Sequence, residues 1–231
     1  SDPFADLLTL RTAITQLYID NDYISSGAFI PSNQVLEDGI VQIQIVEGAI
    51  EQVQINGLGR LRESYIRSRV ARATKAPLNV NRLEESLQLL QVDPLLQSVD
   101  AELTAGSGPG LNILLLDLAE ADPFFANLST DNYRSPSIGS LQGTANVSYG
   151  NVLGFGDSLS TSYGLTDGLD TYNVGYTFPI NGLDGTLEFR YQNSESEIVE
   201  DQLRDAGIRS DSETFSFNYR QPLTRSVSNE F

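Results

Sequence analysis

The segment "DTYNVGYTFPI", residues 170–180, alternates apolar and polar positions almost without interruption. Tyr172, Val174, Tyr176 and Phe178 fall on one side, and Thr171, Asn173, Gly175 and Thr177 on the other. Side chains reverse direction at each strand residue, so this pattern predicts a two-faced strand. The pattern recurs throughout the second half of the chain. "SLQGTANVSYG" sets Leu141, Ala145, Val147 and Tyr149 against Gln142, Thr144, Asn146 and Ser148. "DSLSTSYGL" sets Leu159, Tyr163 and Leu165 against serines, and "GTLEFRYQ" sets Leu187, Phe189 and Tyr191 against Thr186, Glu188, Arg190 and Gln192. "TFSFNYR" sets Phe215, Phe217 and Tyr219 against Ser216, Asn218 and Arg220.

The first 121 residues or so mix helical and strand periods. "DLLTLRTAITQLYID" has a helical spacing, with Leu7, Leu10, Ile14, Leu17 and Tyr18. "YISSGAFI" and "IVQIQIVEG" predict strands, and "AIEQVQING" predicts a third, closed by the Asn56-Gly57 turn signal. "LRESYIRSRVARAT" predicts a helix with Leu61, Tyr65, Ile66, Val70 and Ala73 on its buried stripe. "NRLEESLQLLQ" predicts another, with Asn81 as N-cap, Glu84 three residues on, and Leu83, Leu87 and Leu90 facing inward. Two strands come next, "SVDAELTA" and "LNILLLDLAE", joined by the turn "GSGPG". No helix succeeds that glycine run, so it is no phosphate loop. Residues 50–120 therefore read strand, helix, helix, strand, strand. Residues 1–49 read as the same unit without its front, an internal repeat of about 70 residues.

Alternation alone fits a half-exposed soluble sheet as well as a membrane barrel. Three features favour the barrel. Several runs keep their alternation for about 9 to 11 residues, the length that crosses a bilayer at a tilt. The apolar face is rich in Tyr, Phe and Leu, with Tyr149, Tyr163, Tyr191 and Tyr219 near run ends, as an interfacial aromatic belt requires. The connections also alternate. "NVLGFGD", "PINGLD" and "PLTRS" are short, whereas the other side has "RSPSIGS", "TDGLD" and the acidic stretch at residues 193–213, expected to be a long solvated loop. "YTFPI" recurs as "YRQPL", and each proline marks where strand pairing stops.

Composition narrows the chemistry. The 231 residues carry 31 acidic and 14 basic side chains, a net charge of −17. That balance makes a poor general binder of nucleic acid. There is no Cys, hence no disulfide framework and no thiolate nucleophile or ligand. There is no His, so no Ser has a His to activate it and the commonest metal ligand is missing. No catalytic residue, metal site or cofactor is expected, and the chain is not expected to be an enzyme. No apolar run reaches the length of about 18 residues that a transmembrane helix needs, which leaves strands as the means of crossing. The chain begins at Ser1 inside patterned sequence and is read as a piece of a longer protein.

Two stretches carry a family resemblance: "LYIDNDYISSGAFIPSNQVLEDGIVQIQIVEGAIEQVQINGLG" and "LNVNRLEESLQLLQVDPLLQSVDAELTAG". With Pro31, Gln34, Asp38-Gly39, Glu47-Gly48 and Asn56-Gly57 in place, they resemble the paired polypeptide-transport-associated (POTRA) domains of two-partner-secretion outer-membrane transporters (TpsB; the haemolysin/haemagglutinin secretion-activation family). "GNVLGFGDSL" resembles the first inner turn of that family's barrel. Asp22 is a departure, since the family usually has Gly before Tyr23. The chain supplies about six barrel strands, fewer than the family's barrel contains.

The resemblance implies an α+β fold of POTRA type (β-α-α-β-β), succeeded by antiparallel transmembrane β-barrel strands in an incomplete barrel. The implied organisation is the C-terminal part of a first POTRA domain at 1–49, a second at 50–121, and the leading barrel strands at 122–231. It implies POTRA domains in the periplasm that capture an unfolded secreted client by its N-terminal secretion domain. The barrel, in the outer membrane of a Gram-negative-type bacterium, conducts that client outward without ATP. Partners would be the client and outer-membrane lipid. Tyr18, Tyr23, Ile24, Phe29, Arg67 and Arg69 are candidates for client binding, the two arginines belonging to a basic run between Arg60 and Lys75. Lipid-facing candidates are Tyr149, Tyr163, Tyr172, Val174, Tyr176, Phe178, Leu187, Phe189, Phe215 and Phe217; lumen-facing candidates are Asn146, Ser148, Asn173, Glu188, Arg190, Asn218 and Arg220. Two alternatives stay open: a barrel-assembly factor of the BamA type, and a soluble β-sandwich binding module fused to POTRA-like domains.

Overall fold

A computed structural model describes residues 3–32, 34, 40–200 and 207–224. The chain divides into two compact units. The first comprises the described residues of 3–58 and 66–120; the second comprises those of 59–65 and 121–224.

The first unit opens with α1 (Pro3–Ile19). Thr9, Thr12 and Thr15 each donate their hydroxyl to the carbonyl four residues back. The Thr15 hydroxyl also accepts from the Ala28 amide at 3.0 Å, which ties α1 to β1 (Gly27–Phe29). β1 pairs antiparallel with β2 (Gln44–Val46). Both strands are much shorter than the alternating runs in the sequence predict. The predicted segment around Asp38-Gly39 lies outside the described residues.

After β3 (Ala49–Asn56) come α2 (Glu63–Val70), α3 (Val80–Gln91) and the hairpin β4 (Leu96–Ala105) and β5 (Leu111–Glu120). The sheet order is β3-β5-β4, with β3 parallel and β4 antiparallel to β5. This is the predicted β-α-α-β-β unit. Leu114, Leu116 and Leu118 share one face of β5 and are buried, as are Ile66, Val70, Leu83 and Leu90 of the two helices. Burying each such side chain stabilises the unit by about 1.5 to 3 kcal/mol. Gly57 closes β3 at φ 83°, and a Cβ there would meet the Leu118 carbonyl oxygen, so only glycine fits.

The α3 cap differs from expectation. Asn79, not Asn81, is the N-cap: its backbone is extended and its side-chain oxygen accepts from the Arg82 amide at 3.1 Å. Asn81 lies inside the first turn. Leu87 is only half-buried, and Ser86 takes its place on the inner stripe.

The second unit contains a six-stranded antiparallel sheet in simple sequence order: β6 (Phe124–Asp131), β7 (Gln142–Gly150), β8 (Ser158–Leu165), β9 (Leu169–Pro179), β10 (Thr186–Glu197) and β11 (Arg209–Arg220). The long loop expected over 193–213 is not there. β10 runs on to Glu197 and β11 begins at Arg209, with Glu195 opposite Asp211 and Glu197 opposite Arg209. Strand pairing overrides the charge because a 3.2 Å Arg209–Glu197 ion pair offsets part of the repulsion and both side chains stay solvated. Glu195, Glu197, Asp211 and Glu213 are therefore strand residues.

Candidate functional site: a two-faced sheet

The sheet register carries the site. In an antiparallel pair, directly opposed residues project to the same face. One row runs across all six strands as Phe124, Tyr149, Leu159, Tyr176, Phe189 and Phe217. The next runs Ala126, Val147, Thr161, Val174, Tyr191, Phe215, and a third runs Leu128, Ala145, Tyr163, Tyr172, Asn193, Glu213. Phe178, Leu187 and Tyr219 form a shorter row near the other end. All ten residues expected to face lipid thus lie on one face. Much of this face is open: Leu128 is 82% exposed, Phe215 76% and Phe189 56%.

The opposite face is polar. One row reads Asn127, Asn146, Ser162, Asn173, Gln192, Thr214, and its neighbour reads Phe125, Ser148, Ser160, Gly175, Arg190, Ser216. Glu188 and Asn218 are opposed, and Arg220 is opposed to Thr186. All seven residues expected to face a lumen are on this side. Several satisfy one another: Arg190 donates to Glu188 at 2.5 Å, Asn218 to the other Glu188 oxygen at 3.1 Å, and Asn173 to Ser162 at 3.1 Å. Short side chains at Ser148, Ser160 and Gly175 leave a trough of about 350 Å³ beside Asn146, Asn173 and Arg190.

The apolar rows end in polar rims. Beyond the Tyr163–Tyr172 row lie Asp170, Glu195 and Asp211, opposed in turn. The Tyr163 hydroxyl donates to Asp170 at 2.6 Å, and Tyr191 donates to Glu213 at 3.3 Å. Tyrosines thus join apolar side chains to a hydrated edge, which is the use of an amphipathic ring. Tyr191 itself sits in a middle row, further inside than its place in the alternating run implies.

The other end is set by the turn 151–157. Asp157 is fully buried; its carboxylate accepts from the Leu153 amide at 2.9 Å and from the Tyr176 hydroxyl at 2.6 Å. Asn151 stands at φ 55° and its side chain accepts from the Gly156 amide. Within the same unit, Arg62 stacks its guanidinium 4.1 Å over the Phe155 ring, and Arg60 donates to the Tyr149 hydroxyl. Periodicity does not single out Asn151, Phe155 or Asp157. The signal available in the sequence is Asn and Gly at the left-handed positions of "GNVLGFGD".

The expected client-binding residues do not form one site. Phe29 lines an apolar cleft of about 520 Å³ in the first unit, with Phe4, Leu7, Leu8 and Val41. Ile24 is exposed elsewhere. Tyr18 and Tyr23 pack edge to face against each other, ring centroids 6.2 Å apart. They close the C-terminal cap of α1: the Tyr23 amide donates to the Tyr18 carbonyl and the Asp22 amide to the Ile19 carbonyl, a Schellman pattern with its hydrophobic pair. Arg67 is exposed on α2. Arg69 corrects the expectation of a basic surface. Its side chain is 8% exposed and lies 3.4 Å from the buried Asp93 carboxylate. A stripe on a short helix cannot show that a facing loop supplies a buried counter-charge.

Among the described residues, no group of three or more acidic side chains is placed to hold a metal ion, and no helix is long and apolar enough to cross a membrane. A sheet with one exposed apolar face, one hydrogen-bonded polar face and tyrosine-lined rims, in a chain that also carries a POTRA-type unit, defines a piece of an outer-membrane β-barrel protein. The family model for haemolysin secretion/activation protein ShlB/FhaC/HecB matches residues 110–231, and that for the ShlB-type POTRA domain matches residues 3–48. The chain belongs to the ShlB/FhaC/HecB family.

Outer membrane transporter CdiB of Dickeya dadantii is 26% identical over 172 residues, 72% of this chain and 30% of the relative. Heme/hemopexin transporter protein HuxB of Haemophilus influenzae is 24% identical over 67% of this chain and 27% of the relative. Hemolysin transporter protein HpmB of Proteus mirabilis is 26% identical over 77% and 32%. The chain thus spans about a third or less of these relatives' length. CdiB from Escherichia coli superposes with a TM-score of 0.66 at 24% identity, over 95% of this chain and 41% of that one. BamA from Haemophilus ducreyi gives 0.65 at 16% identity, over 92% and 41%. These two likenesses establish the shared fold alone.

Proposed function

We propose that this chain is the POTRA-bearing and leading-strand portion of an outer-membrane transporter that exports a secreted partner protein. The observation that carries the reading is the division of the six-stranded sheet into a mainly apolar and a mainly polar face. An apolar face this open needs a non-aqueous neighbour. In a closed barrel, lipid is that neighbour, and the polar face then lines a hydrated lumen where an extended client meets no apolar wall. Residues 1–49, as the C-terminal part of a first POTRA domain, and residues 50–121, as a second, would lie in the periplasm, and residues 122–231 would start the barrel in the outer membrane. The short β1–β2 sheet, two-stranded among the described residues, and the apolar cleft around Phe29 suit an extended client, by strand addition and side-chain anchoring. Transport of a secreted partner is supported by family membership, in which CdiB, HuxB and HpmB are named as transporters.

Spin labels in the full-length protein, reconstituted in bilayers, test the orientation. A label at Val174 should be quenched by lipid-soluble agents and one at Asn173 by aqueous agents. The reverse pattern, or equal aqueous access at both, would sink the reading. Planar-bilayer conductance of the same protein should show a pore.

A further inference from the structure

Asp22 is one of three non-glycine residues with a left-handed backbone among the described residues. It occupies the C′ position of the α1 cap at φ 68°, in the left-handed region that glycine enters most readily. Asp tolerates this conformation better than most side chains. What Asp adds over Gly is a carboxylate, and the structure shows where it goes. Oδ2 accepts from the Asn81 side chain at 2.6 Å. The Asp22 carbonyl accepts from the Val80 amide at 3.0 Å, and the neighbouring Asn21 carbonyl accepts from the Asn79 side chain at 3.1 Å. Asn79 is at the same time the N-cap of α3.

The C-terminal cap of α1 is thereby joined to the N-terminal cap of α3, although the two are far apart in sequence. Both elements belong to the first unit. A second link, from the Leu78 amide to the Gly48 carbonyl at 2.7 Å, lies one residue before the capping Asn79. Two main-chain carbonyls accept in this joint whatever side chain stands at position 22. The carboxylate gives it a charge-assisted contact, which also fixes direction.

We infer that Asp22 is a positioning residue: through Asn81 it locks α1, β1 and β2 at one fixed angle on the segment that begins at β3. The lock would hold the cleft around Phe29 in a constant direction, a consequence that rests on the transport reading. The lock itself does not.

The test uses the full-length protein with spin labels at Ala13→Cys on α1 and Glu102→Cys on β4, both exposed positions. This sequence contains no cysteine of its own to interfere. Pulsed dipolar spectroscopy should give a single narrow distance for the parent. Asp22→Gly relieves the backbone and keeps the cap, so it folds, but it should lose the single narrow peak. Asn81→Ala should do the same, and the double variant should be no broader than either alone. Asp22→Asn, which keeps an acceptor oxygen and tolerates the left-handed region, should restore the narrow peak. An unchanged distribution in Asp22→Gly, or additive broadening in the double variant, overturns the inference. In a secretion assay, Asp22→Gly should lower client export and Asp22→Asn should restore it. No export by the parent protein would count against the transport reading and leave the distance result standing.

Discussion

β5 and β9 share a strand's alternation of faces and end in different surroundings. In β5, Leu114, Leu116 and Leu118 are almost wholly buried in a core shared with the helices α2 and α3. In β9, the corresponding apolar side, Tyr172, Val174, Tyr176 and Phe178, is half-buried or exposed. Its neighbours on β8 and β10 continue the same apolar rows. Among the described residues of the second unit, no α-helix comparable to α3 is present to cover them. A strand's pattern states which face is apolar. Whether that face meets a helix or a lipid depends on the other elements the chain supplies to cover it.

Substitutions can test this contrast. The largest effect is expected in the first unit, at the buried ion pair. Arg69→Ala takes the guanidinium away from the buried Asp93 carboxylate and should cost about 3 to 5 kcal/mol. Hydrogen exchange of the β5 amides in the full-length protein reads this directly. Next is the core: Leu116→Ala should destabilise the same amides by about 2 to 5 kcal/mol, whereas Phe217→Ala, at 56% exposure, should leave them unchanged.

The second unit should respond to charge differently on its two faces. Val174→Arg, in the middle apolar row, should cost about 2 to 4 kcal/mol in a bilayer if that face meets lipid, measured by unfolding from lipid vesicles. Asn173→Arg should cost little. Equal costs would erase the distinction drawn between β9 and β5.

Smaller effects refine the picture of the first unit. Asn79→Ala removes the α3 cap and should cost about 1 kcal/mol. The smallest is a pH effect at the β4–β5 turn. Hydrogen bonds from the Ser107 amide and hydroxyl hold the Glu51 carboxyl below the usual glutamate range. Its folded pKa is depressed, so its stabilisation is present above the unfolded glutamate pKa. It is lost as pH falls through the lowered folded value. An NMR titration should show Glu51 shifting back up in Ser107→Ala.

Much of this architecture is legible from periodicity. The predicted stripe of Leu61, Tyr65, Ile66, Val70 and Ala73 is buried, although α2 itself spans only Glu63–Val70. The two-sided partition of β7 to β11 comes from alternation alone, because side-chain direction in a strand is fixed locally by the backbone. Local geometry also makes Gly57 and the proline at 179 readable. Expectations fail where spacing or composition fits more than one local structure. Asn81 has the spacing of a cap, but the chain enters α3 two residues earlier and Asn79 takes that place. Residues 193–213 have the charge of a loop, but cross-strand pairing extends both strands into it. Tyr18 and Tyr23 have the composition of a groove, but they meet each other across a helix cap.

Which residues share a face, which runs are helical and which family the chain resembles can all be read from the order of amino acids. These depend on interactions a few residues apart or on patterns repeated along the chain. Folding in three dimensions was needed to set Arg69 against Asp93, to bury Asp157 in the turn 151–157 against Tyr176, and to bring Asp22 to Asn81. The first and last of these are polar contacts between residues far apart in sequence, and the second depends on a strand packed over a turn. Their energies depend on burial and on distances of a few ångströms, and neither is encoded in spacing.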